Sequence, residues 1–144
     1  MTSIHIKPVE TPQEREAVKA LRRRVFVEEQ GVREEEEYDA YDEVAFHAVA
    51  LHQGTVIGTG RLFQDESGRS LIGRMAIEAS WRRRGVGGQV LAFLEGQAAQ
   101  RGFGRIVLHA QTYVKDFYAE HGYQVEGDVF IEAGIEHVLM AKAL

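Results

Sequence analysis

Apolar and polar side chains alternate from Ile4 to Lys7, the period of a half-buried strand. Thr11-Pro12-Gln13-Glu14 follows and carries three helix-start features at once. Thr11 can accept from the third amide, Pro12 has no amide to leave unpaired, and Glu14 can reach back to the cap. Val18, Leu21 and Val25 then recur at helical spacing, which predicts a helix to about Phe26. Val44 to His52 and Thr55 to Gln64 are β-rich runs on either side of Gln53-Gly54, a hairpin pattern. Asp65 to Arg69 reads as a further turn and Ser70 to Ile77 as the next strand.

The period then changes. Val86, Val90, Leu94 and Ala98 lie four apart and predict an amphipathic helix that ends at Arg101-Gly102. Arg105 to Ala110 is a short buried strand. Val114, Phe117, Tyr118 and His121 form a second helical stripe, which Gly122 stops. Two last strands, about Tyr123 to Glu132 and Ile135 to Ala141, flank the turn Ala133-Gly134. Strands interleaved with helices, without a repeat or a Pro-rich linker, predict an α/β (α+β) chain. Its architecture is a mixed central β-sheet flanked by helices. At 144 residues this is expected to be one domain over 1–144.

Composition narrows the classes of function. Hydrophobic residues make up 44% and charged residues 27%, as in ordinary globular proteins. No apolar run approaches the roughly 20 residues of a membrane span, and Met1 to Glu10 lacks a signal-peptide pattern. The chain has no cysteine, so disulfides, zinc-thiolate sites and cysteine nucleophiles are excluded. A cytoplasmic setting fits this composition. The net charge of -5 argues against general nucleic-acid binding, which needs a basic surface.

Charge is unevenly placed. Glu28 to Glu43 holds nine acids against the single base Arg33, whereas Arg69 to Arg105 holds seven arginines and two glutamates. The run Glu34 to Glu37 reads either as a solvated loop or as a surface that draws a cationic partner.

The arginine-rich segment is the more informative. Arg82-Arg83-Arg84-Gly85-Val86-Gly87-Gly88 joins the strand ending at Ile77 to the start of the second helix. Glycines allow close backbone approach, first-turn amides have no internal partner, and the helix dipole favours negative charge. Arginines add charge-assisted hydrogen bonds suited to phosphate oxygens. No Gly-Lys-Ser/Thr follows, so this is not a nucleoside-triphosphate loop, and the dinucleotide glycine spacing is also missing. Close helix–sheet packing is the other reason for Gly87 and Gly88.

Arg82-x-x-Gly85-x-Gly87 resembles the Gln/Arg-x-x-Gly-x-Gly/Ala signature of the GCN5-related N-acetyltransferases (GNAT). Phe117-Tyr118-Ala119-Glu120-His121-Gly122-Tyr123 is similar to that family's Tyr-x-x-x-Gly block, and the element order agrees over the whole chain. Leu21 to Gln30 and Gly134 to Met140 further resemble the small bacterial ElaA-like branch.

The resemblance implies an enzyme that transfers an acetyl group from acetyl-CoA to a primary amine, directly, in a ternary complex and without a metal. It implies that Met75, Ala76 and Ile77, with Arg82, Arg83, Arg84, Gly85, Val86, Gly87 and Gly88, hold the acetyl-CoA. Near Ala76 a splayed strand end would supply an oxyanion donor. Gln111 stands where many members carry asparagine, and its longer arm puts that usual cofactor contact in question. Tyr118 is the expected general acid, with a packed core aromatic as the other reading of the same residue.

The general base stays open among Glu28, Glu29, His109, His137 and an ordered water. The acceptor is expected to be a small-molecule or peptide amine, with a cationic one drawn by the acidic run. Exposed sheet edges are compatible with a homodimer. Two other readings are a non-catalytic acyl-CoA binding or sensing domain and a nucleic-acid module using Arg82 to Arg84, the latter disfavoured by the charge.

Overall fold

A computed structural model describes residues 3–144; Met1 and Thr2 lie outside the described residues. Strand β1 (His5–Pro8) leads into helix α1 (Pro12–Arg22), which starts as its sequence predicts. The Thr11 hydroxyl accepts from the Glu14 amide at 3.1 Å, and the Glu14 carboxylate accepts from the Thr11 amide at 3.2 Å. The helix does not stop near Phe26. It widens into a π-helical stretch over Arg23–Glu29, a change of winding that the spacing of Val18, Leu21 and Val25 does not announce.

The acidic run is also not a simple solvated loop. It forms a short helix, α2 (Glu34–Glu37), and a 3-10 turn (Ala40–Glu43), with Glu37 only 2% exposed. Then come β2 (Phe46–His52), β3 (Thr55–Gln64), β4 (Ser70–Ile77), α3 (Val86–Gln100), β5 (Arg105–Gln111) and α4 (Lys115–Glu120). The strand expected over Tyr123 to Glu132 is two short ones, β6 (Gln124–Val125) and β7 (Phe130–Glu132), and β8 (Ile135–Ala143) closes the chain.

The strands form one mixed sheet in the order β1-β2-β3-β4-β5-β8-β6, with β7 also on β8. Neighbours are antiparallel except β4 and β5, which run parallel and share a single register pair, Leu71 with Val107. One face packs on α3 and α4 through Leu62, Ile72, Ile106 and Leu108 against Val90, Leu91 and Leu94. The other face carries α1 and the π-helical stretch through Leu21 and Val25 on Ala76, and a small cluster of Leu71, Val107 and Ala141.

Strand β4 is bent. Thr59 pairs with Ala76 and Arg61 with Gly73, so Arg74 and Met75 together oppose the single residue Gly60. Arg74 adopts φ 51°, a left-handed conformation that costs free energy in a residue with a Cβ. The extra residue switches the parity of the strand. Ile72 faces α3 before the bulge, and Met75 and Ile77 face it afterwards. Gly60 leaves room for this, since a Cβ there would lie 2.6 Å from Met75 Sδ and 2.8 Å from Leu94 Cδ1.

An ionic network holds the bulge from the α1 side. Buried Arg22 donates to Glu37 Oε1 at 2.7 Å and to Asp42 Oδ1 at 2.7 Å. Buried Arg61 grips Asp39 through both terminal nitrogens, at 2.7 and 2.9 Å, and Asp42 at 2.8 Å. Arg74 itself donates to the Glu37 carbonyl at 3.1 Å and lies 3.3 Å from its carboxylate. Three arginines thus neutralise three carboxylates.

Replacing such a set by apolar residues can be neutral, but removing one partner strands a buried charge. Arg22→Met is therefore expected to cost about 3–5 kcal/mol in denaturant unfolding. Adding Glu37→Gln should recover part of that loss. Burial alone would raise the Asp42 carboxyl, but hydrogen bonds and charge from Arg22 and Arg61 outweigh it and hold it down at about 2. Because that lies below the unfolded value of about 3.9, its stabilisation is complete above pH ~4 and is lost as pH falls toward 2. In Asp42→Asn the decline of the melting temperature over this window should be shallower.

Candidate active site

Beyond the Leu71–Val107 pair β4 and β5 diverge, and a cleft of about 1620 Å³ opens between them. It runs from the start of α3, through the gap, to the face that carries α1. Met75 and Ile77 line it from β4, and Leu108, His109 and Gln111 from β5. Ala76 is not on its wall; it is 1% exposed and packed under Leu21 and Val25.

At one end of the cleft, Gly85 at φ 82° turns the chain into α3, and Arg83 takes a second left-handed position at φ 61°. No side chain caps the helix, so the first-turn amides of Val86, Gly87 and Gly88 are left for an outside acceptor. Gly87 and Gly88 also serve packing. A Cβ on Gly87 would meet Phe117 Cζ at 3.2 Å, and one on Gly88 would meet His121 Nε2 at 2.9 Å. His121 cannot easily yield, because its Nδ1 is bonded to the Phe117 carbonyl at 2.8 Å. Packing is therefore one reason for glycine at both positions.

The three arginines have separate surroundings. Arg82 donates to the Ile77 carbonyl at 3.0 Å and to both oxygens of Glu29 at 2.9 Å. Arg84 lies over the Trp81 ring at 4.2 Å, away from the cleft wall. Arg83 lines the cleft and has no ion-pair partner among the described residues.

Gln111 also reaches the cleft, with its amide nitrogen on Gln30 Oε1 at 2.8 Å; Gln30 in turn donates to the Tyr113 hydroxyl at 3.1 Å. Tyr118 stands on the α3 side, its ring edge-on to Phe117 and Tyr123. It is both a core aromatic and a cleft residue. Burial, with the nearby Tyr113, pushes its phenol up to about 12, so it holds its proton at neutral pH. Its hydroxyl has no hydrogen-bond partner among the described residues and is not sealed from solvent.

The candidate bases separate clearly. Glu28 is exposed, off the cleft wall and 3.6 Å from Arg23. Glu29 lines the cleft but is held by Arg82. His137 also lines the cleft but is only 6% exposed, and its Nδ1 donates to the Ile135 carbonyl at 2.7 Å. His109 lines the cleft, with Nδ1 on Glu132 Oε2 at 3.0 Å. Sequence reading missed Glu132, Gln30 and Arg74. The β7–β8 hairpin around Ala133-Gly134 is legible, but which strand lies beside β8 is not. Among the described residues no group of three or more His, Asp or Glu is arranged to hold a metal ion.

The acidic run is far less anionic than its sequence. Eight of its nine acids lie within ion-pair distance of an arginine, Glu43 being the exception. Those pairs draw on Arg22, Arg23, Arg33, Arg61 and Arg82, and Arg74 adds to Glu37 and Asp39. The argument that this run pulls a cationic acceptor into place therefore loses most of its charge.

The sequence profile of the acetyltransferase (GNAT) domain matches residues 8–144. The chain is 37% identical over 123 residues to YjcF, an uncharacterized N-acetyltransferase of Bacillus subtilis (strain 168), covering 85% of this chain and 87% of that one. A solved acyl-CoA N-acyltransferase from Pseudomonas aeruginosa superposes with a TM-score of 0.86 at 27% identity, over 99% of this chain and 100% of that one. Escherichia coli ElaA shares the fold with a TM-score of 0.83 at 23% identity, over 99% of each chain. The chain belongs to the GNAT family of acetyltransferases and is by class an acyl-CoA-dependent acyltransferase.

Glu29 competes with any anion for Arg82. Glu29→Gln is expected to tighten binding of inorganic pyrophosphate about 3- to 10-fold in a calorimetric titration, up to about 1.4 kcal/mol. Unchanged or weaker binding would show that Arg82 serves only to fasten the π-helical stretch.

Proposed function

We propose that the chain acts as one domain that transfers an acetyl group from acetyl-CoA to a primary amine, directly and within a ternary complex. The observation that carries this reading is the gap between β4 and β5, which opens directly onto the uncapped start of α3. The free amides of Val86, Gly87 and Gly88, the dipole of a 15-residue helix and Arg83 together suit the pyrophosphate of a coenzyme A. Gly85 shapes the turn, and Arg82 joins the cradle when it exchanges Glu29 for phosphate. Arg84, stacked on Trp81, contributes positive charge at longer range.

Along β4 the edge from Gly73 to Ile77 that faces β5 lacks a strand partner among the described residues, so its backbone groups, apart from the Ile77 carbonyl that accepts from Arg82, are free to bond an extended pantetheine arm. Met75 and Ile77 flank that arm, Ala76 contributes main chain only, and Gln111 meets it from β5. The thioester supplies an activated acyl carbon and a thiolate leaving group. Tyr118 holds a proton that the leaving sulfur can take, and its phenol remains protonated throughout the neutral range. Without cysteine no cysteinyl acyl-enzyme can form, which favours direct transfer. The absence of cysteine is also consistent with a reducing cytoplasm.

Calorimetric titration with acetyl-CoA should give micromolar binding, about 8 kcal/mol. A Gly87→Glu variant, which puts a carboxylate in the cradle and crowds Phe117, should lose it. Tyr118→Phe should keep that affinity while kcat for an accepted amine falls about 100-fold. No binding by the wild type would sink the reading. Binding without turnover of any amine would instead favour an acyl-CoA sensor.

A further inference from the structure

The two walls of the cleft present different chemistry. On β5, Ile106, Leu108 and Ala110 face α3, so Val107, His109 and Gln111 face the opposite side of the sheet. Tyr118 approaches the gap from the α3 side, and His109 approaches from the other. His109 is held on two sides. Its Nδ1 lies 3.0 Å from Glu132 Oε2, and its ring meets the Phe130 ring edge-on at 5.2 Å. Phe130 in turn stacks on His137 at 5.8 Å. A carboxylate can only accept, so Nδ1 carries the proton, and in the neutral imidazole Nε2 then holds the lone pair. That Nε2 has no partner among the described residues, and the side chain remains 31% exposed at the cleft.

We infer that His109 Nε2, set by Glu132, removes the proton of the acceptor ammonium. This rests on the acetyl-transfer reading above. The ammonium gives one proton to Nε2, and the freed nitrogen forms its bond to the acyl carbon. The C–S bond breaks with its electron pair on sulfur, which takes the Tyr118 proton. A second N–H proton leaves the nitrogen as the amide forms and replaces the one Tyr118 gave. The net products are amide, thiol and one proton.

The other carboxylate and imidazole are used differently. Glu132 is a positioning residue, held low first by its hydrogen bond to His109, against burial, and further by the charges of His109, His137 and Arg74. His137 Nε2 lies 3.9 Å from Glu132 Oε1, beyond hydrogen-bond distance, while its Nδ1 donates to the Ile135 carbonyl. Arg74 is the cation on β4 that shares this field.

The test has one arm without turnover. Long-range proton–nitrogen NMR on the labelled full chain above pH 8 should find His109 protonated on Nδ1, and Glu132→Ala should mix its tautomers. An Nε2-protonated His109 in the wild type overturns the assignment. The second arm follows coenzyme A release from acetyl-CoA with spermidine, kanamycin and a lysine peptide. His109→Gln should lower kcat/KM about 100-fold with acetyl-CoA affinity unchanged, flatten the acid limb of the pH profile, and respond to added imidazole. Wild-type rates and an unchanged pH profile in His109→Gln would sink the inference alone. No release by the wild type would instead count against the acetyl-transfer reading, leaving the tautomer to decide the role of His109.

Discussion

The cleft depends on the bulge at Arg74. A parallel pair of strands in register would keep its hydrogen bonds and leave no room for a ligand between β4 and β5. Here the pair stops at Leu71 and Val107, and three residues later Arg74 takes a left-handed backbone and turns the strand. A residue in that conformation persists only where its surroundings over-determine it. Glu37 and Asp39 do so, meeting the Arg74 guanidinium from α2 and the segment after it. The acids that look like a solubilising run are a clamp on the strand that forms one wall of the cleft.

This explains why charge, rather than apolar packing, occupies that part of the interior. An apolar substitute would match the stability of the ion set, but it would not specify the direction of a bent strand. The guanidinium forks of Arg22 and Arg61 each donate to carboxylates in a fixed plane, and both share Asp42. The orientation of α2 and the 3-10 turn relative to β3 and β4 is therefore set by hydrogen-bond geometry. Among the described residues one buried side-chain atom, Arg61 Nε, has no partner, the price of fitting so many forks together.

Much of this was legible in the chain and some was not. The Thr11 cap, the Gln53-Gly54 and Ala133-Gly134 turns and the bounds of β3 and β4 follow local rules that the sequence obeys. The glycine-rich start of α3 and Tyr118 were visible because motif and element coincide. The π-helical winding was hidden, since it changes the hydrogen-bond step without changing which residues are apolar. Glu132 was hidden for a different reason. It meets His109 only because β8 lies next to β5, a pairing set by tertiary topology. Glu29 stood among the candidate bases, and only its distance from Arg82 reveals a different task.

Where the ladder between β4 and β5 is absent, something else must fix the width of the gap. Two consecutive residues at the end of the π-helical stretch do so. Glu29 reaches the lip beside α3 through Arg82, and Gln30 reaches the opposite lip through Gln111 and Tyr113. An α-helical ending in place of the π turn would rotate these neighbours around the axis, and both lips could not be served at once. The wider winding is thus the local solution to a tertiary requirement. It spans a cleft that the sheet cannot span, using side chains that a bound phosphate or amide can exchange without breaking the core.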